Sequence, residues 1–467
     1  MADAVSDFVF FALPLAGVEL PLVVVWLVVG AFYFTWRFRF IGVWGFRHAL
    51  EIVFGRRRET SGVGEVSHFQ ALSTAISGTV GIGNIGGVAI AVAAGGPGAA
   101  FWMIVAGFLG MSTKFVECSL GVIYRRENPD GSVSGGPMYY LERGLGERGL
   151  PRLGRSLGLF YAAGIVVGCL GIGNMFQSNQ AFVQLVSVTG GDTGWLADKG
   201  WLVGGVLAAL VGAVIIGGIR SIARVTAKLV PFMAVFYLVG AYAVIAMNYE
   251  ALPWAIGAMV GEAFEWQAVG GGALGAIVVG FQRAVFSNEA GIGSATIAHA
   301  AVKTDEPLTE GFVSILEPFL DTIVICSATA LVIVTTQYYE PGFSDGLGGI
   351  AMTSDAFERN IPWAPAPLAV AAILFAVSTM IAWSYYGLKG WTYLVGENPA
   401  ATMGFQAVFC LFVVLGAVIE LSAILEISDA LVFLICFPNI LGLYLLAPVV
   451  QRRLDSYWSR VEGRGGG

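Results

Sequence analysis

Apolar residues recur along this chain in stretches near 18–36, 68–94, 97–124, 157–187, 200–217, 225–248, 272–300, 309–337, 365–392, 401–420 and 424–450. Each approaches the roughly twenty residues that an α-helix needs to cross a bilayer, so the pattern predicts about eleven transmembrane helices. Two of the stretches are interrupted by small and polar residues. In the first, His68 to Ala94, the run Ser77-Gly78-Thr79-Val80-Gly81-Ile82-Gly83-Asn84 falls in the middle. In the second, Phe286-Ser287-Asn288-Glu289-Ala290-Gly291-Ile292-Gly293-Ser294 carries the same Gly-Ile-Gly core. A helix broken at membrane depth leaves backbone N–H and C=O groups that lipid cannot satisfy and a bound polar solute can. Paired breaks in two halves of one chain are the sequence signature of a secondary transporter's binding site.

Composition agrees with the pattern. The 467 residues are 57% hydrophobic and 12% charged, with a mean hydropathy of +0.77, too apolar for a soluble globule of this length. The amino-terminal residues have no basic run ahead of the first apolar stretch, so no cleaved signal peptide is expected. Placing the first loop in the cytoplasm puts Arg37, Arg39, Arg47, Arg56, Arg57 and Arg58 inside, and the next inner loop adds six more arginines. Most of the 25 Lys and Arg then lie inside, against Lys199 and Arg359 outside. The positive-inside rule therefore predicts an outer amino terminus and a cytoplasmic carboxyl terminus.

Five cysteines lie within apolar runs and read as small hydrophobes. His48, His68 and His299 are far apart in sequence without a Cys or carboxylate at ligand spacing, which argues against a transition-metal site. Neither a nucleic-acid footprint nor a nucleophile–base pair for an intramembrane enzyme is evident. A channel would need a continuous polar path, whereas the polar groups here cluster between apolar ends.

Setting the first span aside leaves ten, of which the broken ones are the first and sixth. Each opens a five-helix half, and because five is odd the second half must run inverted in the membrane. Gly81 and Gly83 let the backbone leave helical geometry and approach a ligand closely. Half-helix ends suit a carboxylate at exposed N–H groups and a cation at exposed carbonyls. Ser77, Thr79, Asn84, Ser287 and Asn288 offer neutral polar groups to the same space. Gly171-Ile172-Gly173-Asn174 repeats the pattern and leads to Gln177, read equally as a ligand contact or an interhelical bond. Thr379 and Trp383, four apart, share a helix face beside Ser378. Trp383 and Phe286 read on spacing alone as core. Ionisable residues inside spans default to a functional reading. Lys114 and Glu117 are spaced to neutralise each other, Arg283 to pair with Glu317 or Asp321, and Asp321 is a candidate cation ligand.

Several runs together resemble one family: Phe69-Gln70-Ala71-Leu72-Ser73, Thr79-Val80-Gly81-Ile82-Gly83-Asn84-Ile85, Gly96-Pro97-Gly98-Ala99, Gly135-Gly136-Pro137-Met138-Tyr139-Tyr140, Phe286-Ser287-Asn288-Glu289-Ala290-Gly291 and Trp383-Ser384-Tyr385-Tyr386-Gly387. The chain is similar, from about residue 60 to 395, to the alanine or glycine:cation symporters. The resemblance implies an all-α polytopic membrane protein with a LeuT-type core of two inverted five-helix repeats. The expected division is an extra helix and basic loop at 1–66, repeats at 67–250 and 251–450, and a tail at 451–467. It further implies sodium-driven uptake of alanine or glycine across the cell membrane, with sodium as coupling ion and no enzymatic cofactor. Carried over, the substrate positions are Ser77, Thr79, Gly81, Gly83, Asn84, Gln177, Phe286, Ser287, Asn288, Thr379 and Trp383. A sodium site like that of the wider fold would use carbonyls of Ser77 and Val80 with Ser378 and Thr379.

Overall fold

In the computed structural model the residues described are 9–15, 18–55, 62–129, 131–265, 272–337 and 349–465; Arg56, Arg57 and Arg58 lie outside them. Seven helices among the described residues are long and apolar enough to cross a membrane: Ile82–Ile123, Pro151–Val188, Gly218–Met247, Leu308–Thr336, Pro365–Val395, Pro399–Gly416 and Asp429–Val461. Leu22–Arg37 and Gly200–Ile215 are apolar but shorter. The expected spans near 68–94 and 97–124 form one connected path. A helix over His68–Thr79 is followed by extended Val80 and Gly81, a single 3₁₀ turn at Ile82–Asn84 and a long helix from Gly86 to Ile123. Gly96, at φ 69° ahead of Pro97, kinks that long helix where the two spans meet.

Two further departures have local causes. The span expected from residue 18 begins at Leu22, because Val18–Pro21 pairs antiparallel with Ala12–Leu15 and Pro21 ends the strand. The tail expected after 450 stays helical to Gly465. There Leu454 and Tyr457 are buried, and the Tyr457 hydroxyl lies 2.6 Å from His48 Nε2.

Burial separates inner from outer helices. From Ala71 to Thr79 every residue is buried, the pattern of a helix with no lipid-facing side. Only 22% of the apolar window of Pro399–Gly416 is buried, against 67% for Pro365–Val395, so the latter belongs to the central group. The helix Gly272–Asn288 packs along Gly86–Ile123, and Pro365–Val395 packs along Pro151–Leu170 and Phe176–Val188. The entering end of the first broken helix is fixed by a capping box: Ser67 Oγ accepts from Gln70 N at 3.3 Å and Gln70 Oε1 from Ser67 N at 3.0 Å.

The same end of the bundle is tied shut. Glu65 N donates to Ala301 O and Lys303 N to Val66 O, both at 2.8 Å, and Val66 bridges Val302 in parallel. The guanidinium of Arg125 donates to four carbonyls around this joint: Val63 (2.6 Å), Ala300 (3.1 Å), Val302 (2.7 Å) and Thr304 (2.9 Å). The chain before the first broken helix and the chain after the second are thereby held as one piece.

Candidate functional site

The first break follows from its composition. Helix His68–Thr79 makes its last i→i+4 bond from Val80 N to Ile76 O at 2.7 Å, so the carbonyls of its final turn, Ser77 to Val80, end the ladder. The freed N–H groups find side chains. Gly81 N donates to Asn84 Oδ1 at 2.9 Å and Ile82 N to Gln177 Oε1 at 3.0 Å. Gln177 in turn donates to Ile172 O at 3.1 Å. This glutamine thus makes an interhelical bond to the broken backbone itself.

The second break begins later than expected. Phe286, Ser287 and Asn288 still belong to the helix Gly272–Asn288, and the chain departs at Glu289, where φ is 57°. A non-glycine residue there costs about 1–2 kcal/mol. Its carboxylate holds it in place, accepting from Trp383 Nε1 at 2.9 Å and from the Ser294 hydroxyl. Gly291 and Gly293 follow at φ 96° and 85°, values that exclude most other residues. Backbone groups of this break are again paired from outside: Gly291 N to Glu117 Oε1 (3.0 Å), Gly291 O from Asn439 (2.8 Å) and Ile292 O from Tyr161 (2.9 Å).

Asp321 joins the two breaks. Its Oδ1 accepts from Asn84 Nδ2 at 2.7 Å, and its Oδ2 accepts from Ser287 and Thr322 hydroxyls, each at 2.8 Å. Its own backbone carbonyl also accepts from Asn84, at 3.1 Å. That carbonyl is within reach because Phe319–Cys326, just after Pro318, is wound as a π-helix, the kind of local defect found at functional sites. Asn288 bonds Thr322 at 3.0 Å and Ala290 N at 3.0 Å.

A second grouping lies beside the first break. Ser77 Oγ is 2.7 Å from both the carbonyl and the hydroxyl of Ser378. Thr379 and Trp383 share one face of Pro365–Val395, as their spacing predicts, and Tyr386 continues that face one turn on. Trp383 Nε1 reaches Gly78 O at 3.3 Å. A methyl group at Gly78 would stand 2.9 Å from the Tyr386 hydroxyl, and one at Gly81 would collide with the Thr379 hydroxyl. Both hydroxyl oxygens are buried without a hydrogen-bond partner among the described residues, which is costly unless a ligand supplies one.

The candidate residues are thus gathered at two adjoining places, with one exception: the Thr79 hydroxyl turns back onto the carbonyls of Ala75 and Ile76 at 3.4 and 3.3 Å. Ser77, Val80, Asn84, Ser287, Asn288, Ser378, Thr379 and Trp383 are all 1% exposed or less, so the site is closed from both sides. Phe286 packs against Phe176, with centroids 5.3 Å apart, and lies 3.6 Å from where a Cβ on Gly83 would stand.

Several pairings read from sequence are corrected. Lys114 bonds Glu317 at 3.1 Å and not Glu117, which faces Gly291 and Asn439. Arg283 pairs with Asp429, and not with Glu317 or Asp321, and lies over the Phe286 ring at 5.2 Å. His68 and His299 converge on Glu310, and His299 also meets Glu317. The run Gly171–Met175 is a π-turn inside a continuous helix and not a third break: Asn174 donates to Phe409 O at 2.8 Å, and bare Gly173 receives the Trp383 ring. Sequence reasoning marked Glu289 as an intramembrane charge without a partner and gave no role to Tyr386, Asn439 and Thr322; only Tyr386, seven residues beyond Thr379, had a helical-spacing signal.

The sequence profile described as the sodium:alanine symporter family matches residues 11–464. The sodium/alanine symporter AgcS of Methanococcus maripaludis is 40% identical over 439 residues, covering 94% of each chain. The probable sodium/glutamine symporter GlnT of Bacillus subtilis is 32% identical, covering 93% of this chain and 87% of its own. Among solved structures, MhsT in complex with L-phenylalanine superposes with a TM-score of 0.60 at 16% identity, over 82% of this chain and 89% of that one. A manganese transporter from Eremococcus coleocola gives 0.55 at 13% identity, over 82% and 81%. These two likenesses show the fold, which is the LeuT-type fold.

Proposed function

The chain belongs to the sodium:alanine symporter family, a family of transporters, and from that premise we propose that it is a cell-membrane symporter carrying alanine or glycine inward with Na⁺. The observation that carries this reading is the meeting of the two breaks at Asp321 beside two buried, unpartnered hydroxyls, Thr379 and Tyr386. The zwitterion lies between the breaks, its carboxylate toward the start of the segment at Gly81 and Ile82, whose N–H groups Asn84 and Gln177 hold until it enters. Ser77, Thr379, Gly81, Gly83, Asn84, Gln177, Phe286, Ser287, Asn288 and Trp383 surround it. Na⁺ takes the hard oxygens of Ser77, Val80, Ser378 and Thr379, entering where Ser77 and Ser378 otherwise bond each other. Thr79 contributes backbone only.

The breaks open two inverted five-helix repeats, 67–250 and 251–450, which rock about the site to expose it alternately. With the amino terminus outside, the Arg125 joint closes the cytoplasmic side and the Arg283–Asp429 pair the outer side. One Na⁺ moving down about 100 mV and a tenfold gradient supplies about 3.7 kcal/mol, enough for about 500-fold accumulation.

Labelled alanine and glycine uptake into proteoliposomes under imposed sodium or proton gradients is the test. Uptake is expected to require the sodium gradient and to fall at least about tenfold in Asn84→Ala; uptake indifferent to sodium refutes the coupling. Phe286 and Trp383 limit the side chain to about a methyl group. In Phe286→Ala leucine should become a competitor of alanine uptake, and its continued failure to compete would show that these rings do not set the size limit.

A further inference from the structure

On the cytoplasmic side of the closed site five side chains form an unbroken ladder. His68 Nδ1 meets one oxygen of Glu310; the other oxygen of Glu310 meets His299 Nδ1. His299 Nε2 lies 2.6 Å from Glu317 Oε1, and Glu317 Oε2 accepts from Lys114 Nζ at 3.1 Å. Both nitrogens of His299 therefore face carboxylate oxygens. A neutral imidazole carries one N–H, which leaves one of these contacts as lone pair against lone pair. The geometry is satisfied only when one additional proton resides within His299, Glu310 and Glu317.

Charge counting agrees. With that proton the ladder balances: two carboxylates against the Lys114 ammonium and one imidazolium. Without it the ladder carries a net negative charge where the side chains of Lys114, Glu310, Glu317 and His299 are 0% exposed, an expensive arrangement. The groups facing it add no further positive charge at depth. Glu117 and Cys118 come from the helix of Lys114, Glu289 from the second break and Tyr386 from Pro365–Val395. Arg125 and Asp305 lie at the shallow end, near Glu310. The His68 side chain is 14% exposed with its Nε2 buried, so the ladder lies nearest solvent at this end and meets water when the end opens.

We propose that His299, Glu310 and Glu317 form a proton-binding site, loaded from the cytoplasm through His68, whose bound proton holds the inner side of the transporter shut. The proposal rests on the transport reading above. His68 opens the first broken helix, His299 ends the second, and Glu310 stands between them. Parting residues 63–66 from 300–304 must separate His68 from Glu310, wet that carboxylate and remove the reason for His299 to keep its second proton. The proton passes to cytoplasmic water and returns from it on closure. It is exchanged on one side and not carried across.

The test is hydrogen exchange on the whole protein in lipid nanodiscs, with rates corrected for intrinsic chemistry, from about pH 6 to about pH 8. Protection of the segments around 63–66 and 300–304 is expected to fall with rising pH, with a limiting slope of about tenfold per unit for a single proton. Sodium-driven uptake should quicken as lumenal pH rises in vesicles with the cytoplasmic face inward. In His299→Gln both dependences should vanish. His68→Ala, at the solvent edge and safer for folding, should flatten them as well. A pH-independent protection in the native protein, an unchanged slope in His68→Ala, or protons delivered to the lumen in step with alanine each overturns the proposal. Absence of sodium-dependent uptake at every pH would instead refute the transport reading and leave the exchange result to be judged on its own.

Discussion

Gly81→Ala is expected to reduce sodium-driven alanine uptake at least about a hundredfold, which corresponds to about 2.7 kcal/mol. Backbone strain is not the reason: Gly81 sits at φ −137° and ψ −160°, extended geometry open to any residue. The reason is space. The added methyl meets the buried Thr379 hydroxyl and stands 3.0 Å from Gln177 Oε1, the acceptor that satisfies Ile82 N. Overpacking of that kind typically costs about 1–3 kcal/mol, and here it falls on a proposed cation ligand and on the pairing of the break. Gly83→Ala is the internal control. Its methyl reaches Phe286 at 3.6 Å, ordinary contact, so the fold and glycine uptake should survive while alanine is crowded out. Initial rates for both substrates, normalised to protein recovered as a monodisperse peak, separate the two outcomes; equal losses in both variants would remove the Thr379 contact as the cause.

The second large effect is expected at Asp321. Asp321→Ala removes the carboxylate acceptor of three buried donors, Asn84 Nδ2, Ser287 and Thr322, leaving Asn84 the residue's backbone carbonyl and Ser287 the weak Cys326 sulfur. At about 1–3 kcal/mol for each unpaired group, less the relief of removing a buried charge, the net destabilisation should be about 3 kcal/mol. Thermal unfolding in detergent reads it as a drop in midpoint. Asp321→Asn keeps one acceptor oxygen, so much of the lost stability should return. Transport should not return, because an amide cannot accept from both breaks. A variant that recovers stability and full transport together would show that Asp321 only fills space.

Both predictions depend on contacts of unequal legibility. The breaks themselves were readable, since Gly and small polar residues inside apolar runs have few other uses in a membrane. The alignment of Thr379 with Trp383 followed from helical spacing, and Ser77 meets Ser378 through its hydroxyl, where the family resemblance named its carbonyl. The pairing of Lys114 was not readable. Spacing along one helix favours Glu117 at three residues, whereas the partner, Glu317, comes from a helix about two hundred residues away. His68, His299 and Glu310 are likewise joined only by folding. Gly171-Ile172-Gly173-Asn174 repeats the composition of the first break, yet its backbone stays wound as a π-turn and its glycine serves the Trp383 ring. Composition marks where a helix is able to open, and neighbours decide whether it does.

The grip of Arg125 on four carbonyls has a kinetic meaning. Three of its acceptors, Ala300, Val302 and Thr304, come from one segment and only Val63 from the other, so when residues 63–66 part from 300–304 the guanidinium has one bond to lose and stays with the second segment. The arginine's share of the cost of parting is therefore one charge-assisted bond, about 1.5–3 kcal/mol. A latch anchored on one segment is ready to regrip Val63 as soon as the two segments meet again.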